Sequence, residues 1–340
     1  MRYVSVFSGV EAATLAWHQL GWEPVAFSEI DPFPSAVLAE RFPNVPNLGD
    51  ITQIDWSRIG AVDLVVGGSP CQSFSVAGKR EGIAGASGLM FDYIRCVREL
   101  RPRWFVWENV PGALSSEGGA AFGQLLTEMD DLGYGLAWRV LDAQFFGVAQ
   151  RRRRVFLVGS LGDGGAERAC EVLFEPESLR WDPPSSREKR KALAARAEGG
   201  AGGAGGCLTP WDNQSKRIFS PEGCGPTLNS GTGEGMNIQP SVLVRYVNGD
   251  GAISGALAAN PGMKQTSYVK EGPVVRRLTP RECERLQGMP DDWTRVPYRG
   301  KPAEDCPDGP RYKAIGNSMA VPVMRWIGER IAMVDKLEGV

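Results

Sequence analysis

Over its first hundred and sixty residues the chain alternates short β-rich runs with helical stretches, and this alternation constrains the fold more than any other feature. Strand-like runs lie at Tyr3 to Phe7, Val25 to Ser28, Val62 to Val66, Trp104 to Trp107 and Val155 to Val158. Helix-like stretches separate them: an Ala-rich one through Leu20, and others near 33–41, 89–100 and 120–132. Such units with short links predict an α/β fold, a doubly wound, mostly parallel sheet with helices on both faces. After Gly159 the pattern deteriorates. Glycine clusters at 162–165 and 199–206 flank a basic, helix-prone run from Arg187 to Arg196, and 207–274 reads as turns and short strands, clearest at Ser241 to Val247. Thr279-Pro280-Arg281-Glu282 restores regular structure, with Thr as N-cap, Pro in the first turn and Glu282 completing a capping box. A last helix is expected from about Pro322 to Leu337. The expected division is a domain at 1–160 completed by 311–340, and a second at 161–310 whose loop-rich part is 161–274.

Charge and rare residues narrow the chemistry. Lysine plus arginine (38) nearly balances aspartate plus glutamate (40), so any nucleic-acid site is a local patch and not a basic whole. Seven cysteines form an odd set without a Cys-x-x-Cys pair, which suits neither a disulfide framework nor a zinc ribbon. No metal is expected. His18 is the single histidine, leaving chemistry to cysteine, carboxylates or arginine. Without a signal-peptide core or a membrane-length apolar run, the cytoplasm is the expected compartment.

Four segments carry chemical groups. The buried run Val62 to Val66 stops at Gly67-Gly68 and delivers Ser69-Pro70-Cys71-Gln72-Ser73-Phe74-Ser75 beyond its carboxyl end, where open α/β sheets place ligands. An arbitrary cysteine is most often a small buried hydrophobe, but this flank belongs to an exposed loop and favours a nucleophile. The run Trp104 to Trp107 ends in Glu108-Asn109-Val110, an ordinary turn acid unless an apolar pocket raises its pKa and makes it a proton donor. In Gln150-Arg151-Arg152-Arg153-Arg154, strand alternation points Arg152 and Arg154 together, against the ordinary reading of a solvated charge run. At the first turn, Phe7-Ser8-Gly9-Val10-Glu11 precedes Glu29 by the spacing at which nucleotide-binding folds hold ribose, and Asp50 could bind an adenine amine. Glu11 and Thr14 occupy the second and third positions of G-x-G-x-x-G, which disfavours a pyrophosphate and weakens a dehydrogenase reading.

In this order, and with Arg277 to Gly288 and Ala314-Ile315-Gly316-Asn317-Ser318, the segments resemble the DNA (cytosine-5)-methyltransferase family. The resemblance implies S-adenosylmethionine as cofactor and S-adenosylhomocysteine as product. It implies contacts of Glu29 and Ile30 with ribose and adenine and of Asp50 and Ile51 with adenine. Phe7, Ser8, Gly9, Val10, Glu11, Pro70, Leu89, Asn317, Ser318 and Met319 would complete that pocket. Cys71 would attack cytosine C6, Glu108 would hold the N3 edge, and Arg154 with Arg152 would secure the carbonyl and the loop. The target base would be flipped from the helix. Gln72 and Ser75 would meet DNA, 161–274 would be the variable target-recognition part, and Arg187, Lys189, Arg190 and Lys191 would meet phosphates. Duplex DNA is the implied partner, a cognate restriction endonuclease a candidate one, and the protein a monomer in a bacterial cell, host or phage encoded. An RNA (tRNA) cytosine-5 methyltransferase and a catalytically silent DNA-binding regulator are the alternatives.

Overall fold

The computed structural model describes residues 1–70, 87–174, 268–271 and 274–337. Cys71, Gln72, Ser75, Arg187, Lys189, Arg190, Lys191 and the expected strand Ser241 to Val247 lie outside the described residues. The rest fall into two units, one spanning Met1 to Leu173 and resuming at Thr279, the other containing an antiparallel hairpin of Tyr268–Glu271 with Val274–Arg277.

The first unit is built on six strands: β1 (Arg2–Val6), β2 (Glu23–Ser28), β3 (Leu64–Gly67), β4 (Trp104–Asn109), β5 (Tyr134–Asp142) and β6 (Arg153–Leu161). Their order is β2-β1-β3-β4-β6-β5. The first four run parallel, and β6 is antiparallel to both β4 and β5. Alternating side chains divide the sheet into two buried faces. On one, Val4, Val6, Val65, Phe105, Trp107, Val155 and Leu157 join Tyr93, Ile94 and Val97 of α3 (Ser87–Leu100) and Phe122, Leu125 and Met129 of α4 (Ala120–Asp131). On the other, Tyr3 meets Trp17 of α1 (Ala12–Trp17) edge to face, and the Trp17 indole donates to the Met324 carbonyl in the C-terminal helix Val321–Leu337. The helix α2 is Pro32–Arg41. Burial of both faces explains why β3 and the Trp104–Trp107 part of β4 are continuously apolar.

Two expectations are corrected. The first unit does not end at residue 160. Gly162 and Gly164 take left-handed turns, and α5 (Gly165–Leu173) starts at once against β5. A Cβ on Gly135 would lie 1.9 Å from the Ala166 amide nitrogen, so glycine is what permits that approach. The boundary at 160/161 therefore moves to Leu173. Nor does 279–310 belong to the second unit. Here α6 (Pro280–Leu286), which carries the expected Thr279–Glu282 capping box, is tied to α7 (Asp308–Asn317) by a buried Arg311–Glu284 ion pair of 3.1 Å. The C-terminal helix is α8. Among the described residues no helix is long and apolar enough to cross a membrane, and no group of three or more His, Cys, Asp or Glu could hold a metal ion.

Candidate active site

Chain order reverses across β1, whose neighbours are β2 and β3, and a cleft opens beyond the carboxyl ends there, the switch-point position of open α/β sheets. Its empty space, counted out into open solvent, is about 420 Å³, and it is lined from the β1 end by Ser5 to Gly9, from β3 by Val66 and Gly68, from β4 by Glu108, and from the turn after α7 by Asn317, Ser318 and Met319. Glu11, Ala12 and Ala13 close its floor.

The first turn is wound tightly. Phe7, Gly9 and Glu11 all have positive φ, at 52°, 56° and 62°. Glu29 holds this conformation, accepting from the Gly9 amide at 2.8 Å with one oxygen and from the Asp31 amide at 2.7 Å with the other. Burial raises its pKa, and those amides pull it back. Beside it Ile30 is 69% exposed, an apolar surface open to a flat ring. Asp50 caps a short turn through Oδ1, which accepts from Thr52 N and Oγ1, leaving Oδ2 outward.

Glu108 and Gly68 meet across the ends of β4 and β3. A Cβ on Gly68 would stand 2.6 Å from the Glu108 carbonyl oxygen and 3.0 Å from its carboxylate. Arg154 Nε lies 3.1 Å from Glu108 Oε1. Desolvation raises the Glu108 pKa, and Arg154 and Arg152 oppose the rise. The expected strand alternation holds, since Arg152 and Arg154 turn inward while Arg151 and Arg153 are exposed. Their tasks differ. Arg152 is buried and donates to the Gly316 carbonyl at 3.2 Å and the Ser318 carbonyl at 2.7 Å, so it fixes the turn that walls the cleft. Burial pulls its pKa down to about 9.

Several residues expected in the cofactor pocket lie outside the lining. Val10 is buried with its carbonyl accepting from Trp293 Nε1, Ile51 belongs to the core cluster, and Leu89 packs partly buried on that cluster. Pro70 is exposed at the end of the described loop. Sequence reasoning missed Asn109, whose Nδ2 donates to the Ser69 carbonyl at 3.0 Å and so anchors the start of the Cys71 loop. It also missed Gln287, whose Nε2 donates to Ile315 O and Ser318 O and latches the same wall as Arg152. Two arginines of the α6 segment are paired with acids: Arg281 with Asp292, and Arg285 with Asp291 at 2.5 Å.

These features define a class, the α/β fold of the S-adenosylmethionine-dependent methyltransferases. The cleft suits that cofactor by its donor set. Among the described residues its charged lining groups are Glu11 and Glu108, with no lysine or arginine, which favours a cationic sulfonium over a polyphosphate. Solved structures agree in fold: the Dnmt2 methyltransferase of S. pombe superposes with a TM-score of 0.62 at 14% identity over 100% of this chain and 99% of that one. A chain described as a DNA modification methyltransferase of an E. coli prophage gives 0.59 at 19% over 99% of each. Residues 1–199 and 213–333 match the model of the C-5 cytosine-specific DNA methylase family, and the chain belongs to that family. It is 33% identical over 97% of its length to the DNA N-6-adenine-methyltransferase of Escherichia phage P1, of which it spans 61%. It is 31% identical to Type II methyltransferase M2.BsuMI of Bacillus subtilis, covering 98% of this chain and 75% of that protein. For Type II methyltransferase M.HhaI of Haemophilus parahaemolyticus the figures are 27%, 97% and 94%.

Proposed function

We propose that the protein methylates C5 of cytosine in duplex DNA at a specific sequence, through a covalent adduct at Cys71. The observation that carries this is a cleft lined by the first turn and by a desolvated carboxylate, Glu108 of β4, backed by Arg154, beside the end of β3 at Gly67, four residues before Cys71. Bound there, S-adenosylmethionine supplies an electrophilic methyl group. Glu29, Ile30 and Asp50 would hold its adenosine part; Phe7 to Gly9 and Asn317 to Met319 would hold the methionine part.

Cytosine C5 is a poor nucleophile. Addition of the Cys71 thiolate at C6, with Glu108 giving its proton to N3, makes C5 electron-rich enough to accept the methyl. Loss of the C5 proton then expels Cys71. Arg154 keeps Glu108 oriented, and Arg152 keeps the wall in place. A stacked base hides its ring faces, so the target cytosine is flipped out, at a cost of a few kcal/mol. Duplex DNA is the partner. A cognate restriction endonuclease is a candidate one, on the type II names of the relatives. The cytoplasm is the compartment, and the protein acts as a monomer.

The test is incubation of mixed-sequence duplex DNA with enzyme and S-adenosylmethionine, then bisulfite sequencing, with a parallel RNA-labelling arm. Methylated cytosine within one DNA motif, lost in Cys71→Ala, is the expected result. No methylated cytosine with folded protein, or label in RNA alone, refutes it.

A further inference from the structure

The departure from the dinucleotide-type turn at Glu11 places in the cleft a buried carboxylate with no ion pair among the described residues. Glu11 stands where that turn would have a glycine, and it adopts φ 62°, ψ 63°, a conformation disfavoured for a side chain larger than hydrogen. Its carboxylate is 1% exposed yet lines the cleft. Oε1 accepts from Thr14 N at 3.1 Å and Thr14 Oγ1 at 3.0 Å, and Oε2 accepts from Ser5 Oγ at 2.8 Å, so one acceptor position of Oε2 remains. Every donor is neutral. Glu11 is the N-cap of α1, so the helix end offsets part of the desolvation, but no cation among the described residues pairs with it, and burial still outweighs the donors.

The neighbouring groups deepen the imbalance. Tyr3, on β1, reaches Glu11 through Thr14 Oγ1 at 2.6 Å and is uncharged. Glu29, at the end of β2, adds negative charge. Across the cleft Glu108 has Arg154 as its own cation. Asn317, Ser318 and Met319 carry no charge. Burial, with Glu29 adding, lifts the Glu11 pKa to about 7, against the donors that lower it.

From this arrangement we infer that Glu11 is the counter-charge for the cofactor: its carboxylate selects the cationic methyl donor over the neutral demethylated product. S-adenosylmethionine carries one more positive charge than S-adenosylhomocysteine, and a low-dielectric cleft magnifies that difference. The same carboxylate would then favour product exit after transfer. This rests on the assignment of S-adenosylmethionine to the cleft. By linkage, binding of the cation draws the proton from Glu11, so affinity for the donor rises with pH up to about pH 7 while affinity for the product does not.

The experiment is isothermal titration of the full chain with each ligand, at pH 6 and pH 8, in buffers of two ionisation enthalpies. At pH 6 an α-amino group stays protonated in both ligands, so a difference in proton release belongs to the protein. Wild type should release about one proton more with S-adenosylmethionine than with S-adenosylhomocysteine, since Glu11 is then mostly protonated. Glu11→Gln should abolish the difference and cut the preference for the donor at pH 8 by about tenfold or more, each unit of pKa coupling being tenfold. Glu108→Gln should retain the difference. Equal weakening of both ligands in Glu11→Gln, or a difference lost in Glu108→Gln and kept in Glu11→Gln, overturns the inference. If Glu11→Gln does not fold, proton release by wild type and Glu108→Gln decides. Wild type that binds both ligands with equal proton release overturns the inference alone; wild type that binds neither overturns the cofactor assignment with it.

Discussion

Gly68→Ala tests the active-site geometry with a single methyl group. Ordinary contact begins near 3.4 Å, whereas the new Cβ would stand 2.6 Å from the Glu108 carbonyl oxygen, so the ends of β3 and β4 must separate by about 0.8 Å. The Glu108 side chain, 3.0 Å from the same Cβ, is crowded as well and is pushed from its 3.1 Å approach to Arg154. Overpacking of this size costs about 1–3 kcal/mol, and the midpoint of thermal unfolding should fall by a few degrees. Methyl transfer should suffer more, because a displacement of about 1 Å in a reacting group can cost about 100-fold. Single-turnover transfer of labelled methyl to mixed-sequence duplex DNA, at saturating cofactor and below the unfolding range, reads this directly. A rate 10- to 100-fold below wild type is expected. Gly67→Ala makes the comparison informative: its Cβ would press on the Val6 carbonyl at 2.4 Å, next to the first turn, and should weaken cofactor affinity instead. A folded Gly68→Ala enzyme transferring within about threefold of wild type would refute the assignment of Glu108 to a tightly held position.

Three further outcomes follow from the charges. Desolvation raises the Glu108 pKa, so the proton is retained above the usual carboxylate range, and turnover should decline as pH rises through that shifted value; Glu108→Gln should remove this limb and lower turnover by about 100-fold or more, and an unchanged pH–rate profile would contradict it. Arg152→Met removes two hydrogen bonds from a charged donor, worth roughly 3–6 kcal/mol together, but also a buried guanidinium whose pKa depression from 12.5 to about 9 corresponds to about 5 kcal/mol. Urea unfolding should therefore change little while cofactor affinity drops as the Gly316–Ser318 wall loosens; the reverse pattern would show Arg152 to be a scaffold residue only. Glu11, raised from 4.5 to about 7, destabilises the cofactor-free protein as pH rises across that interval, by up to about 3 kcal/mol above it. Glu11→Gln should thus be more stable than wild type at pH 8 and lose that advantage toward pH 4.5, and a stability gap independent of pH would contradict the origin of the shift.

The parts of this site legible in the sequence are those written in local spacing. Gly67-Gly68 ending an apolar run located the β3 terminus, and a period of two separated Arg152 and Arg154 from their neighbours. What stayed hidden depends on partners distant in the chain. Arg152 reads as a substrate group, yet its acceptors, the Gly316 and Ser318 carbonyls, lie more than 160 residues away. The glycines at 162–165 read only as a cluster that breaks the pattern, because the use of Gly165, close approach to Gly135, needs β5 to be known first. That strand was itself missed. Tyr134–Asp142 is an edge strand, partly exposed, with an arginine and a glycine among its nine residues, so it shows neither a continuous apolar run nor clean alternation.

Three carboxylates at this sheet edge, Glu11, Glu29 and Glu108, are all raised by burial, but the protein answers each differently. Glu29 is held by the Gly9 and Asp31 amides, whose positions it fixes in return, so its charge serves the turn. Glu108 has Arg154 beside it, which opposes the rise that burial imposes. Glu11 receives one amide and two hydroxyls, enough to orient it but not to neutralise it. A charge left in that state lowers the stability of the empty protein, and the loss is recovered only by something that binds the folded form and brings positive charge. The sulfonium of the methyl donor has that property and its product lacks it. Stability forgone in the free enzyme thus becomes discrimination between the two, provided that Ser5 and Thr14 hold the carboxylate still and ionised, which predicts that Ser5→Ala, by removing a donor that lowers the Glu11 pKa, narrows the same ligand preference when both ligands are titrated at pH 8.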